Sequence, residues 1–297
     1  MKGIKIFLVI NVILMCFLRV RGQDELYHNT FPLSDVTLLD GMFKHARDLN
    51  IEVLLQYSVD RLLAPYRKEA GLPEKALSYP NWKGLDGHIA GHYLSALAMN
   101  YKATGHKECK RRMEYMLSEL KKIQEGNAVN NPGWGKGYLG GFPNSETLWS
   151  GFRVGDFKVY DSSWAPFYNL HKMYAGLRDA WLYCGYEEAK SMFLEFCDWG
   201  IAIASGLDDD QMQHILDMEH GGMNEIFADA YQISGDKKYL DAAKRYSHNM
   251  FLEPLSRKTD NLDNKHANTQ IPKFVGFARI AELDGDEKYN KAGSFSW

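Results

Sequence analysis

The chain has 297 residues, of which 25% are charged, 45% hydrophobic and 13% aromatic, and its formal net charge is −3. A mean hydropathy of −0.39 excludes a multi-span membrane protein, and so large an apolar share excludes a disordered chain. The near-neutral charge excludes a nucleic-acid binder that works by neutralising phosphates.

Residues 1–22 read as a secretory signal peptide. Lys2 and Lys5 give the positive start, residues 6–18 form an apolar run interrupted only by Asn11, and Val20 and Gly22 precede a cut at Gln23. The run is shorter than the roughly 20 apolar residues of a membrane span, and the bulky Met15 argues against lipidation at Cys16. The expectation is a secreted or periplasmic protein with no membrane span. Cleavage removes four cations and leaves 275 residues of net charge −7. Such a chain is a poor partner for phosphate backbones or anionic lipid. Cys109, Cys184 and Cys197 then remain, an odd number at irregular spacing. They make neither a disulfide framework nor a metal knuckle, and buried thiols are the ordinary reading.

After Gln23 the alternation expected of strands is almost absent. What recurs is a helix, a tight turn carrying glycine, and a second helix. In chain order the turns are Ala103-Thr104-Gly105-His106, Tyr183-Cys184-Gly185-Tyr186, Ile233-Ser234-Gly235-Asp236 and Leu283-Asp284-Gly285-Asp286. Glycine takes the left-handed conformation that closes a helix, and the residues after it restart one. The last three glycines are about 50 residues apart, a spacing of stacked helical hairpins. After each turn the apolar residues fall on one stripe: Cys109, Met113, Met116, Leu117, Leu120; Ala189, Met192, Phe193, Phe196, Cys197; Tyr239, Leu240, Ala243, Tyr246, Met250. These second helices face water on their other side. The first helices are apolar nearly all round, as in residues 173–184, broken by Arg178 and Asp179, and residues 226–233. Inner helices covered by outer ones describe a solenoid or a closed ring. Bulky inner residues and long inter-hairpin loops favour the ring, so the predicted fold is all-α, an α/α toroid.

Just upstream of each inner helix lies a segment rich in His, Gly and amides. They are Gly87-His88-Ile89-Ala90-Gly91-His92, Tyr168-Asn169-Leu170-His171, Glu219-His220-Gly221-Gly222-Met223-Asn224-Glu225 and His266-Ala267-Asn268-Thr269-Gln270. From His92, His171, His220 and Gln270 to the next turn glycine runs 13 to 15 residues, roughly 20 Å of helix. If the inner helices run the same way, these starts gather at one mouth of the ring with the positive ends of the helix dipoles. Imidazoles and amides both donate and accept hydrogen bonds, which suits a neutral, hydroxyl-rich ligand. The candidate binding residues are therefore His88, His92, His171, His220, Glu225, His266 and Gln270. Each has an ordinary alternative. A helix-start His is also a cap or a satisfied core residue, Glu225 is also a first-turn acid, and Gly87, Gly91, Gly221 and Gly222 also permit close packing. The aromatic stretch 134–149 reads as a loop crossing the same mouth, its rings stacking on sugars or packing among themselves. The chain carries no phosphate loop, nucleophile elbow or paired-His zinc helix. Asp208-Asp209-Asp210 reads as a solvated helix start.

Several strings resemble those of the β-L-arabinofuranosidase clan of glycoside hydrolases, families 127 and 146. They are Phe43-Lys44-His45-Ala46-Arg47-Asp48-Leu49-Asn50, Asp60-Arg61-Leu62-Leu63-Ala64-Pro65-Tyr66-Arg67-Lys68-Glu69-Ala70-Gly71-Leu72, Leu85-Asp86-Gly87-His88-Ile89-Ala90-Gly91-His92-Tyr93-Leu94-Ser95-Ala96, the segment from Glu219 to Glu225, and Lys265-His266-Ala267-Asn268-Thr269-Gln270-Ile271-Pro272-Lys273. The resemblance implies that residues 23–297 form the N-terminal part of an (α/α)6 catalytic barrel, incomplete, with about four of six hairpins present. It implies retaining hydrolysis of β-L-arabinofuranosides, with a plant-derived arabinose-containing oligosaccharide as partner. Histidines matching His92, His220 and His266 would hold the sugar hydroxyls. The implied nucleophile is a zinc-bound cysteine thiolate and the implied acid/base a Glu. In the family these groups and the zinc ligands follow the segment matching residues 266–289. The resemblance therefore implies a truncated chain with no catalytic residue and no zinc ligand before Trp297. Cys109 and Cys184 lie near the turn end and Cys197 on an outer helix, so none stands in for the missing thiolate. Two rivals fit the composition but leave the strings unexplained: a sugar-binding or helical scaffold protein without chemistry, and an α/α-barrel epimerase or lyase with His as acid and base.

Overall fold

The computed structural model describes Leu26, residues 30–80 and residues 84–297; the signal-like segment 1–22 lies outside them. Among the described residues every regular element is a helix. A 3-10 turn (Leu33–Asp35) leads to α1 (Met42–Leu54) and α2 (Val59–Glu69). Four hairpins follow: α3 (His88–Thr104) with α4 (Lys107–Asn130), α7 (Pro166–Cys184) with α8 (Glu187–Ile203), α10 (Met223–Ser234) with α11 (Lys237–Arg245), and α13 (Ala267–Asp284) with α14 (Glu287–Ser296). Between them lie α5 (Ser145–Phe152), α6 (Lys158–Ser162), α9 (Asp209–Asp217) and α12 (Asn249–Ser256). No described helix is long and apolar enough to cross a membrane.

The hairpin turns are built alike. Gly105, Gly185, Gly235 and Gly285 sit at φ 72°, 73°, 73° and 68°, and each donates its N–H to the carbonyl four residues back. A Cβ in that conformation costs about 1–2 kcal/mol, which is why glycine ends each inner helix. Three outer helices then restart on a side-chain cap: His106 accepts from the Cys109 N–H, Asp236 from Lys238, and Asp286 from Lys288 and Tyr289.

Helices α3, α7, α10 and α13 pack side by side in that order as an inner layer, each covered by its hairpin partner. The layer is an open arc of a helical toroid. Among the described elements α13 has no closely packed inner neighbour beyond α10, and its flank leaves Ile271 and Val275 exposed. The tightest crossing is α3 on α7, where a Cβ on Gly91 would stand 2.1 Å from the Lys172 carbonyl. The predicted stripes on α4 and α8 are buried, as are Tyr239, Leu240, Ala243 and Tyr246. Each such large apolar side chain contributes about 1.5–3 kcal/mol of transfer free energy. Met250 departs from its stripe. α11 ends at Arg245, His248 starts α12, and Met250 turns outward at 48% exposure.

The aromatic stretch 134–149 packs among itself and the core. Trp134, Tyr138, Phe142 and Trp149 are buried. The ring centroids of Tyr138 and Trp149 lie 4.8 and 4.9 Å from that of Trp199 on α8, and Trp199 Nε1 donates to the Trp134 carbonyl at 2.8 Å. These rings therefore spend most of their surface on one another and on the core. Asp208 and Gln211 form a reciprocal capping box, so the acidic triplet is the start of α9.

Candidate functional site

The four inner-helix starts share one end of the molecule and are joined in sequence. Asn169 on α7 donates to the Asp86 carbonyl ahead of α3 at 2.8 Å. His171 on α7 lies against the two glycines ahead of α10, since a Cβ on Gly221 would stand 2.9 Å from its ring. Asn268 in the first turn of α13 donates to Glu219 at 2.9 Å. Asn224 on α10 fills the notch left by Gly276 and donates to the Lys273 carbonyl at 2.9 Å. None of these four starts carries a side-chain cap bond; their N-caps are Gly87, Ala165, Gly222 and His266. The histidines are therefore not repeated helix caps.

His88 and His92 stand one turn apart on α3, their rings edge-on with centroids 6.5 Å apart. His88 Nδ1 is tied to the Leu85 carbonyl at 2.7 Å, while His92 reaches the surface. Dense surroundings, Lys172 and His88 bring the His92 ring down to about 4. Burial, helped by Lys172, Arg178 and His92, pulls His171 well below the ordinary histidine value. His220 is 0% exposed, and burial, then Lys273, His248 and His171, pulls it well down too. These imidazoles are neutral at pH 7.

Buried polar atoms in folded proteins almost always find partners. Among the described residues nine buried side-chain nitrogen or oxygen atoms do not, and five of them sit at this rim: His171 Nε2, both ring nitrogens of His220, Asn169 Oδ1 and Gln270 Oε1. Glu225 is placed beside them. Its Oε1 pairs with Arg178 at 3.1 Å, and Arg178 also holds Asp229 at 2.7 Å, which Arg279 on α13 holds at 2.9 Å. Burial raises the Glu225 carboxyl, opposed by Arg178. A Cβ on Gly222 would meet Glu225 Oε2 at 2.7 Å and His171 Nε2 at 2.8 Å. The bare glycine thus lets carboxylate and imidazole converge on one point.

The structure brings together His88, His92, His171, His220 and Glu225. Gln270 lies one turn into α13, and His266, its N-cap, is exposed at the open flank of the rim, as His92 is on α3, while His220 is buried. Three further residues belong to the rim. Lys172 lies 4.1 Å over the Tyr168 ring and 3.3 Å from His171 Nδ1. Arg178 orients Glu225; its signal in the sequence was a charge breaking an apolar helix. Lys273 is buried on α13 under the His220 segment.

The described thiols lie elsewhere. Cys109 is in the first turn of α4, Cys184 ends α7 with Sγ 3.5 Å from the Ala98 carbonyl, and Cys197 is on α8. Burial raises all three, Cys184 to about 12 and Cys197 well above the ordinary thiol value. Among the described residues no three His, Cys, Asp or Glu side chains gather to hold a metal ion, so the implied zinc does not fit them. A family model described as "Beta-L-arabinofuranosidase, GH127 catalytic domain" matches residues 35–297. No curated protein matches the chain.

Proposed function

The chain belongs to the β-L-arabinofuranosidase GH127 catalytic-domain family of glycoside hydrolases, and from that premise we propose that it acts outside the cell on β-L-arabinofuranosides of plant glycans, with the rim as the part that holds the sugar. The observation that carries this reading is the gathering of partnerless buried polar atoms where four inner helices start. A sugar hydroxyl gives its hydrogen to one neutral imidazole nitrogen and receives one from the N–H of another. Glu225, oriented by Arg178, accepts a second hydroxyl. Such a site rejects analogues lacking a hydroxyl, because its own buried groups would then stay unpaired.

We assign binding and orientation of the furanose to His92, His171, His220, Glu225 and Gln270, with His88 and His266 at the margin. Bond cleavage with retention needs a nucleophile and an acid/base group. No described thiol is poised to ionise, so the described residues are read as holding the sugar, with no turnover expected of them. The epimerase or lyase reading loses support at the same residues. A histidine acid at neutral pH needs a pKa near 7, whereas His92, His171 and His220 are all held low.

The test is an assay on an aryl β-L-arabinofuranoside, with and without zinc, beside calorimetric titration with methyl β-L-arabinofuranoside. Saturable binding without turnover is expected. Zinc-dependent turnover by this chain would overturn the division of labour, and absence of binding at millimolar sugar would overturn the site.

A further inference from the structure

Lys273 is 0% exposed on α13, yet among the described residues no carboxylate stands within ion-pair distance of it. Its ammonium donates to the Leu216 carbonyl at 3.1 Å and to Nδ1 of His248 at 2.9 Å, both neutral acceptors. A buried cation held this way is expensive, and a fold retains one where it serves something else. The second nitrogen of His248 faces Asp217 Oδ1 at 3.2 Å. Because Nδ1 accepts from Lys273, Nε2 carries the hydrogen that His248 donates to Asp217, which fixes the tautomer.

The main chain of Lys273 makes a third contact: its carbonyl accepts from Asn224 at 2.9 Å. One residue therefore grips position 216 with its side chain and position 224 with its backbone. Between those two points lies the segment carrying Glu219, His220, Gly221 and Gly222.

We propose that Lys273 is a positioning residue for His220: it clamps both ends of the segment that presents the ring to sugar and sets its own buried charge beside that ring. The sugar half of this rests on the function proposed above. The groups facing the pair are Asp217 and Glu219 at and beyond the end of α9, His248 ahead of α12, His171 on α7 and Lys265 ahead of α13. Burial brings Lys273 down to about 8, so it is charged at neutral pH and discharged in mild alkali.

The experiment follows the His220 ring by 1H–13C NMR against pH, in the wild-type chain and in Lys273→Met, whose side chain fills the same space without charge. In Lys273→Met the onset of ring protonation moves up by at least about one pH unit, and affinity for methyl β-L-arabinofuranoside falls at least tenfold further between pH 7 and pH 5 than in wild type. An unmoved titration overturns the proposal. Should Lys273→Met fail to fold, the wild-type chain supplies the same test. Raising the pH from 7 to 9.5 discharges Lys273, and the His220 ring signals then shift with a midpoint near 8; a flat response overturns the proposal. A moved titration in a chain that binds no sugar supports the coupling between Lys273 and His220 and removes the sugar reading alone.

Discussion

The two ends of the inner helices are built on opposite plans. At the turn end, four glycines repeat the same left-handed closure, and three outer helices restart on a satisfied side-chain cap. At the rim end no two starts are alike, none has a side-chain cap, and buried imidazole and amide atoms lack partners. Repetition solves a backbone problem that every hairpin shares. Irregularity with unmet hydrogen bonds lowers stability, and a chain tolerates it where a ligand completes the bonding.

Substitutions at the two ends should separate along these lines. The largest effect is expected midway, at Asp229, which is 0% exposed and held by Arg178 and Arg279. Asp229→Ala removes the carboxylate that joins Arg178 to Arg279, leaving Arg178 on Asp179 and Glu225 and Arg279 on Glu282, and should lose about 3–5 kcal/mol in urea unfolding. Loss below 1 kcal/mol would show that the charged layer is not what ties α7, α10 and α13 together. Gly91→Ala comes next, at about 3 kcal/mol, because its Cβ would meet helix backbone that cannot swing aside.

A matched pair sharpens the contrast further. Gly185→Ala has open space around it but a φ of 73°, so about 1–2 kcal/mol of stability should go while sugar affinity stays. Gly222→Ala meets only the tips of Glu225 and His171, so sugar affinity should fall at least tenfold with little change in melting temperature. Calorimetry and thermal unfolding of both variants decide, and equal effects on binding would erase the distinction. Mild acid tests the rim in a different way, through the stability of the whole chain. Burial keeps His171, His220 and His248 neutral in the folded state, His248 down to about 3, while unfolded histidine titrates near 6.5. Below about 6.5 the unfolded chain binds more protons, so stability is full above that pH and declines as pH falls. Melting temperature should drop by about 10 °C from pH 7 to pH 5, and an unchanged value would contradict neutral burial.

The turn end was legible from the sequence because its signals are local: one glycine, a polar residue directly after it, a stripe at helical spacing. Met250 broke that pattern because the chain leaves the helix at Arg245, and a stripe alone does not reveal where a helix stops. The rings of residues 134–149 were undecidable for a different reason. Stacking on a sugar and stacking on Trp199 ask for the same aromatic surface, and only the contact itself chooses. At the rim, the His and amide clusters were visible in the sequence as a repeated feature. The contacts that give it character join Arg178 to Glu225 and Lys273 to Leu216 across dozens of residues, beyond the reach of periodicity.

The most direct test is a titration of the wild-type chain with methyl β-L-arabinofuranoside, watched at its histidine rings by 1H–13C NMR. The rings of His92, His171 and His220 should shift together and saturate at one sugar concentration, while His106 at the turn end and His214 on α9 stay still. Shifts confined to His106 or His214, or none at any ring, would contradict a sugar site built from the starts of the inner helices.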